Sequence, residues 1–354
     1  MREGAEPEFA GKLDEVLFEQ RGALGLITLN RARALNALTA AMCIGIDANL
    51  ARWNDDDTIK AVVIRGSGER AFCAGGDIRA LYDARRSGSG DLTDFYRREY
   101  RMNARIKHFR KPYFALLHGV VMGGGVGVSI HGSHRVVDAN TVFAMPETGI
   151  GLFPDVGASW FLPRLPGEIG MYLALTGSRL TTPDLLYSGI ATHFVPAAHW
   201  EMLIDRLAAG DAPAAALAGL TGVARTPDLA EFLETIDRCF AHGSVEAIIA
   251  ALDEDESAWG PLAATTIRMR SPTSLKISHR ELREGRSLSF DDCLRMEFRM
   301  VSRVMAGHDF FEGVRATIID RDNEPSWRPE TLPEVTDSDV DAYFARLGEK
   351  ELML

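Results

Sequence analysis

The sequence contains only four cysteines in 354 residues, and no two of them form a CxxC pair. This argues against a zinc ribbon, a thioredoxin-type dithiol and a disulfide framework. A reducing compartment fits such cysteine usage, and we expect a cytoplasmic protein. Residues 1–15 are acidic and lack an apolar stretch. They therefore match neither a secretory signal nor an Arg-rich transit peptide.

Long apolar runs and an excess of basic residues are also lacking. No stretch reaches the roughly 18 apolar residues that span a bilayer, so no membrane segment is predicted. The chain has 39 Lys and Arg against 50 Asp and Glu, a formal net charge of -11. Duplex nucleic acid requires basic residues concentrated on one face, so we expect no nucleic-acid partner. The motifs GxxxxGK[ST], GxGxxG and GxSxG are absent, which argues against a Walker loop, a Rossmann loop and a serine nucleophile elbow.

The sequence divides into two regions that differ in their residue patterns. Residues 12–210 read as short apolar strands and amphipathic helices in a strand–strand–helix rhythm, and we predict an α/β core there. The runs Val16–Glu19 and Leu24–Leu29 indicate a hairpin, and Thr39 is a candidate N-cap. Residues 211–354 are predicted to be mainly helical. The helical patterns cover residues 229–239, 245–253, 272–284 and 289–306.

Two glycine-rich loops each follow a buried strand: AFCAGGDI at 71–78 and HGVVMGGGVGVS at 118–129. Glycines at the start of a helix leave bare N–H groups at its positive dipole end. Two such groups converging on one point would make an oxyanion hole. Each loop alone is better explained by tight turns and close packing.

Two carboxylates stand in an apolar, Gly- and Pro-rich segment at residues 143–165. Glu147 and Asp155 are eight residues apart there. Charged residues are rarely buried without a partner, so each is at the surface, paired or functional. An apolar setting would raise a carboxylate pKa toward that of a general base. The pair His131 and His134 lacks an acidic partner at ligand spacing, and we expect no metal site.

In combination, AFCAGGD, MGGGVG and PETGIGLFPDVG resemble the crotonase (enoyl-CoA hydratase/isomerase) superfamily. Within it, the sequence is similar to the 3-hydroxyisobutyryl-CoA hydrolase branch. SPTSLK at 271–276 and GHDFFEGVRATIIDRD at 307–322 extend the resemblance over nearly the whole chain. The resemblance implies a crotonase-like spiral of strand–strand–helix repeats with a helical C-terminal region. It also implies an acyl-CoA substrate, and by analogy a trimer or a dimer of trimers.

Carried over residue by residue, the resemblance assigns the oxyanion donors to the N–H groups of Gly76 and Gly124. It makes Glu147 and Asp155 the catalytic acids of the hydrolase branch, and it makes Glu99 a substrate contact. Family hydratases use a second glutamate at a position that falls here on Gly127, which has no side chain. We therefore expect thioester hydrolysis, with the substrate contacts Glu99, Gly76, Gly124, Glu147 and Asp155.

Several alternatives stay open at this stage. Glu147 either activates water or attacks the carbonyl to form an anhydride, and Asp155 either orients a substrate hydroxyl or assists proton transfer to the thiolate. A hydratase or isomerase using Glu147 alone, and a non-catalytic acyl-CoA-binding protein, are the competing functions. We expect no cofactor. Trp160 departs from the branch beside the expected acyl pocket. The candidates for the CoA phosphates are Arg31, Arg33, Lys276 and Arg280.

Overall fold

The computed structural model describes residues 13–223 and 225–354. The first residue of the predicted core, and the expectation drawn from residues 1–12, lie outside these described residues. The strands are β1 (Val16–Arg21), β2 (Leu24–Leu29), β3 (Ala61–Gly66), β4 (Ala71–Cys73), β5 (Tyr113–Leu117), β6 (Val120–Met122), β7 (His134–Val137), β8 (Val142–Ala144), β9 (Leu180–Thr181) and β10 (His193–Phe194).

The helices of the first part are α1 (Ala40–Asp55), α2 (Ile78–Ser87), α3 (Asp94–Lys107), α4 (Gly124–Gly127), α5 (Ala158–Phe161), α6 (Ile169–Thr176), α7 (Thr182–Tyr187) and α8 (Trp200–Ala208). Those of the second part are α9 (Pro213–Leu217), α10 (Leu233–Phe240), α11 (Val245–Asp253), α12 (Trp259–Arg268), α13 (Pro272–Gly285), α14 (Phe290–Val304), α15 (Asp309–Val314) and α16 (Asp337–Phe344). A π-helical turn at Arg315–Ile319 follows α15.

The strands form two sheets. The larger has the order β1-β2-β3-β5-β7-β10, and the smaller has the order β4-β6-β8-β9. The pairs β1–β2 and β8–β9 are antiparallel, and every other neighbouring pair is parallel. The predicted hairpin is confirmed, because Val16 pairs with Leu29 across β1 and β2. The architecture is the α/β class that the sequence predicts.

The larger sheet is covered on both faces, which explains why its strands read as continuous apolar runs. On β3, Val62 and Ile64 pack into the main core, while Ala61 and Val63 face a second cluster. Helices α8 and α9 cover that second face. The Ala- and Gly-rich segment 209–228 contains the short helix α9, whose Ala216 and Leu217 are buried in this cluster.

Local signals decide several element ends. The hydroxyl of Thr39 accepts a hydrogen bond from the N–H of Met42 at 3.3 Å, so the predicted N-cap of α1 is confirmed. Ser271 and Ser289 cap α13 and α14 in the same way. The sequence reading missed α12. Among the described residues, no helix has the length and apolar character that crossing a membrane requires.

Candidate active site

The two glycine loops meet at one end of the smaller sheet, because β4 and β6 pair in parallel and each loop follows its strand. A side-chain carbon added at Gly75 would lie 3.8 Å from the Gly124 nitrogen. Among the described residues, no acceptor takes a hydrogen bond from the amide N–H of Gly76 or of Gly124. The loops thus bring two free amide donors into one region, as an oxyanion hole requires.

Close contacts require glycine at these points. A side-chain carbon at Gly124 would overlap Oε1 of Glu99 and lie 3.0 Å from Leu38. One at Gly76 would lie 2.9 Å from the ring of Phe95. Gly75 has a φ of +118°, a conformation that residues with a side chain rarely adopt. The backbone amides can therefore be approached only because side chains are missing here.

Glu147 begins a 3₁₀ turn (Glu147–Ile150) shortly after β8, and its side chain is buried. Its Oε2 has no hydrogen-bond partner among the described residues. Its Oε1 faces the second glycine loop, 3.4 Å from where a side-chain carbon of Gly123 would lie. Burial first, and then the charge of Asp155, raise the pKa of Glu147 well above its usual value. A buried carboxylate of this kind is a stronger base than an exposed one.

Asp155 is also buried, but it has a partner. The hydroxyl of Tyr100 on α3 donates a hydrogen bond to Oδ2 of Asp155 at 2.8 Å. Burial raises the pKa of Asp155 to about 7, although the Tyr100 hydrogen bond acts in the opposite direction. A carboxyl group with such a pKa is able to give or take a proton near neutral pH.

Glu99 reaches the same region from α3, where it is 2% exposed. Its Oε1 has no hydrogen-bond partner among the described residues. Burial, followed by the charges of Asp155 and Glu147, raises the pKa of Glu99 well above its usual value. The sequence alone favoured a solvated helix residue at this position, and the resemblance favoured a ligand contact. The solvated interpretation is wrong.

One cavity of about 250 Å³ brings all of these groups together. Every catalytic or substrate-binding position that the sequence predicted lines it, namely Gly76, Glu99, Gly124, Glu147 and Asp155. The remaining wall is largely apolar and comes from the core and from the π-helical turn: Ala74, Gly75, Ile78, Phe95, Tyr96, Met122, Gly123, Pro146, Ile150, Leu152, Thr317 and Ile318. The individual roles of the five stay predictions.

A buried carboxylate outside the cavity holds the loop that carries Asp155. Glu297 on α14 accepts hydrogen bonds from the Gly157 N–H at 2.8 Å, the Ser159 N–H at 3.1 Å and the Ser159 hydroxyl at 2.5 Å. Burial raises the pKa of Glu297 to about 8, while these three hydrogen bonds oppose the rise. The C-terminal region thus fixes the loop between Asp155 and α5.

The held loop is strained. Val156 has a φ of +55°, an outlier for a β-branched residue. The Val156 carbonyl is 2.7 Å from Nε2 of the buried His131. Burial lowers the pKa of His131 to about 3, so the neutral ring donates this hydrogen bond. His134 instead stacks on Phe114 and on His193.

Two further sequence features are clarified by packing. A side-chain carbon at Gly127 would lie 2.8 Å from Asn103 and 2.9 Å from Val156, so a glutamate has no space there. Trp160 does not line the cavity. It packs against Lys107, whose amino group is 3.6 Å from the ring centroid, and against Phe290. The expectation that Trp160 shapes the acyl pocket is therefore wrong.

Most of the basic residues predicted to hold phosphates are engaged elsewhere. Arg31 pairs with Glu15 and Asp77, Lys276 pairs with Glu246, and Arg280 pairs with Glu284 and Asp341. Arg33 is exposed and lines none of the cavities described here.

A different basic groove lies beside the cavity, between α2 and the segment that contains α15. Its volume is about 560 Å³, and it is lined by Tyr82, Arg85, Arg86, Ala306, Gly307, His308, Phe311, Glu312 and Arg315. Arg85 lies over the Phe311 ring at 5.0 Å, and Arg86 lies 5.9 Å from the Tyr82 ring. Unlike Arg315, neither of these arginines pairs with a carboxylate among the described residues. Sequence reading missed both, because two arginines on a polar helix carry no motif.

Comparison with known proteins gives a consistent result. The profile of the enoyl-CoA hydratase/isomerase family matches residues 24–344. The chain is 46% identical to a mitochondrial 3-hydroxyisobutyryl-CoA hydrolase from Danio rerio, with 96% of this chain and 92% of that protein covered. It is 44% identical to the Homo sapiens protein of the same name, with 96% and 90% covered.

Two solved structures have the same fold over almost the full length. A carnitinyl-CoA dehydratase from Mycobacterium thermoresistibile is 41% identical with a TM-score of 0.91, covering 96% of this chain and 98% of that chain. An enoyl-CoA hydratase from Rhodobacter sphaeroides 2.4.1 is 41% identical with a TM-score of 0.90, covering 96% and 100%. The names of these structures and of the curated relatives thus point to two different reactions on one fold.

Proposed function

The chain belongs to the enoyl-CoA hydratase/isomerase family, and we propose that within it this protein is a thioester hydrolase. Its substrate is a short-chain 3-hydroxyacyl-CoA, with 3-hydroxyisobutyryl-CoA the favoured one, and its products are the free acid and CoA. The observation that carries the proposal is the cavity that joins Glu147 and Asp155 to two free backbone amides. The identities of 44–46% to proteins named as this hydrolase support it.

The proposed chemistry begins at the thioester carbonyl. The N–H groups of Gly76 and Gly124 hold the carbonyl oxygen as negative charge develops on it. Glu147 takes a proton from a water molecule, whose oxygen adds to the carbonyl carbon, or it attacks that carbon itself. The carbon–sulfur bond then breaks, and the departing thiolate takes the proton of Asp155. If water was the nucleophile, the proton held by Glu147 then replaces the one that Asp155 lost. If Glu147 attacked, water hydrolyses the resulting mixed anhydride, which frees the acid and Glu147 and returns a proton to Asp155. A pKa of about 7 suits Asp155 to this donation at neutral pH.

The basic groove supports a place for the nucleotide end of CoA. Arg85 and Arg86 are seven and eight residues beyond Ile78 on α2, which is about 10–12 Å along a helix. Ile78 itself lines the cavity. An extended pantetheine arm can bridge such a distance, and the two arginines then meet the phosphates.

Hydration of an enoyl-CoA is the competing reaction. Gly127 argues against it, because the second glutamate of the hydratases is missing and packing leaves no space for one. Glu99, however, places a second glutamate in the cavity from another element. This observation keeps the alternative open to test with crotonyl-CoA.

The testing experiment measures free-thiol release from 3-hydroxyisobutyryl-CoA by the wild type and by Glu147→Gln, with crotonyl-CoA absorbance followed in parallel. We expect thiol release that falls at least about 10³-fold in the variant, and little loss of absorbance. Hydration without thiol release would overturn the proposal. CoA-dependent thermal stabilisation without any turnover would instead indicate a binding protein.

The remaining expectations also belong to this proposal. The reaction uses water and side chains only, so we propose that it needs no cofactor, and treatment with EDTA should leave the rate unchanged. We place it in the breakdown of valine and keep the cytoplasm as the compartment, although the relatives' names assign those proteins to mitochondria. A homo-oligomer stays the expectation by analogy.

A further inference from the structure

One polar group in the cavity wall is not used by the proposed chemistry. Tyr96 on α3 is 2% exposed, and its hydroxyl has no hydrogen-bond partner among the described residues. Leaving a buried hydroxyl unpaired is unfavourable, so such a group requires an explanation.

The neighbour of Tyr96 provides a contrast. Tyr100 lies one helical turn further along α3, and the two rings meet edge to face with their centroids 6.1 Å apart. The Tyr100 hydroxyl is already engaged by Asp155. The Tyr96 hydroxyl has no such partner among the described residues, so it is available to a ligand.

The electrostatic surroundings of Tyr96 define what that ligand group must be. Burial, followed by the charges of Asp155, Glu99 and Glu147, raises the pKa of Tyr96 well above its usual value. The hydroxyl therefore stays protonated and donates. Glu99 supplies an acceptor in the same wall, because its Oε1 is also unpaired. A donor and an acceptor in the wall of one cavity are complementary to an alcohol, which accepts one hydrogen bond and donates another.

We propose that Tyr96 is a specificity-determining residue, whose hydroxyl donates to the alcohol oxygen of the acyl group while Glu99 accepts the alcohol proton. This inference rests on the proposed hydrolase function, and it adds to that function the residues that recognise the substrate hydroxyl. The carbonyl is held by backbone amides, so Tyr96 and Glu99 act on a different part of the substrate. A site built around a substrate hydroxyl discriminates strongly against an analogue that lacks it.

The test compares kcat/KM for 3-hydroxyisobutyryl-CoA with that for isobutyryl-CoA in the wild type, Tyr96→Phe and Tyr100→Phe. We expect Tyr96→Phe to lower the value about 10-fold for the hydroxylated substrate and to leave that for isobutyryl-CoA within about 2-fold. Tyr100→Phe is the matched control. It should lower both values together, since it removes the partner of Asp155.

Thermal unfolding checks that the effect is not structural. Removing an unpaired buried hydroxyl should leave the unfolding temperature of Tyr96→Phe at or above that of the wild type, whereas Tyr100→Phe should fall. An unchanged substrate ratio in Tyr96→Phe would overturn the inference while leaving hydrolysis intact. Absence of thiol release from either substrate by the wild type would instead overturn the proposed function.

Discussion

The predicted core at 12–210 and the predicted helical region at 211–354 contribute to the cavity in different ways. The core supplies the amides that follow β4 and β6 and three carboxylates that line the cavity: Glu99 on α3, Glu147 after β8, and Asp155 in the loop before α5. The helical region supplies two wall residues, Thr317 and Ile318, and the carboxylate of Glu297, which grips the loop of Asp155 from behind. The reacting groups and the contacts that hold them in place thus come from different parts of the chain.

Breaking the contribution of the core should have the largest effect. Gly124→Val forces a side chain against Glu99 and Leu38 and displaces the amide from the carbonyl oxygen. We expect kcat to fall about 10²–10³-fold, the loss typical of one oxyanion donor. Gly243→Val is the control, because its side chain meets open space. Equal rates in the two variants would show that Gly124 does not hold the oxygen.

Weakening the hydrogen bonds by which Glu297 holds the Asp155 loop should lower kcat less than the change at Gly124. Glu297→Gln places an NH₂ group where one carboxylate oxygen accepts a hydrogen bond from the N–H of Gly157 or Ser159. The strained loop then loses part of its hydrogen bonding to α14. We expect kcat to fall about 10- to 100-fold with KM little changed, because Asp155 is displaced rather than removed. Glu281→Gln is a close control, since Glu281 is a fully buried carboxyl group on the adjacent α13, and neither of its oxygens has a hydrogen-bond partner among the described residues. Equal losses of kcat in both variants would mean that the hydrogen bonds between Glu297 and the loop have no specific role in catalysis.

The groove between α2 and the segment that contains α15 is expected to contribute to substrate binding. We expect Arg85→Ala combined with Arg86→Ala to raise KM for an acyl-CoA about 10-fold without changing kcat, because charge-assisted hydrogen bonds to phosphate are lost. The same variant should act normally on an acyl-pantetheine, which lacks the nucleotide. Arg79→Ala, exposed on the same helix, serves as the control. A rise in KM for both substrates would show that the two arginines do not act on the nucleotide of CoA.

The smallest expected effect on activity is at Glu281, where stability changes instead. Burial raises its pKa well above the usual 4.5, so the folded state keeps a proton that the unfolded state releases. The free energy of unfolding therefore falls as pH rises above about 4.5, by about 1.4 kcal/mol per pH unit for one such group. Glu281→Gln should flatten this decline just above pH 5, as urea unfolding at about pH 5 and pH 6 would report. An unchanged slope would mean that Glu281 is ionised in the folded protein.

The same contrast explains what the sequence could predict. The glycine loops and the Glu147–Asp155 segment are contiguous motifs next to strand ends, and parallel pairing brings such ends together. Thr39 and the β1–β2 hairpin likewise carry local signals. Glu297 and Tyr96 have none, because their importance arises from contacts between elements distant in sequence.

Charge pairing is a second property that sequence reading could not resolve. Arg31, Lys276 and Arg280 resembled free cations, yet each meets a carboxylate brought near by folding. Arg85 and Arg86 pair with no carboxylate among the described residues, and both line the groove between α2 and the segment that contains α15. Long-range packing, rather than local composition, decides which cation stays available.

The cavity wall has three carboxylates and, among the described residues, no lysine or arginine. A thioester enters such a site with an uncharged acyl end, whereas the acid formed by hydrolysis is ionised at neutral pH. The new anion then lies among acidic groups whose own ionisation burial already disfavours, and no cation among the described residues lines the wall to hold it. Acid product should therefore depart readily and inhibit weakly, so the wall that favours bond cleavage also favours product release.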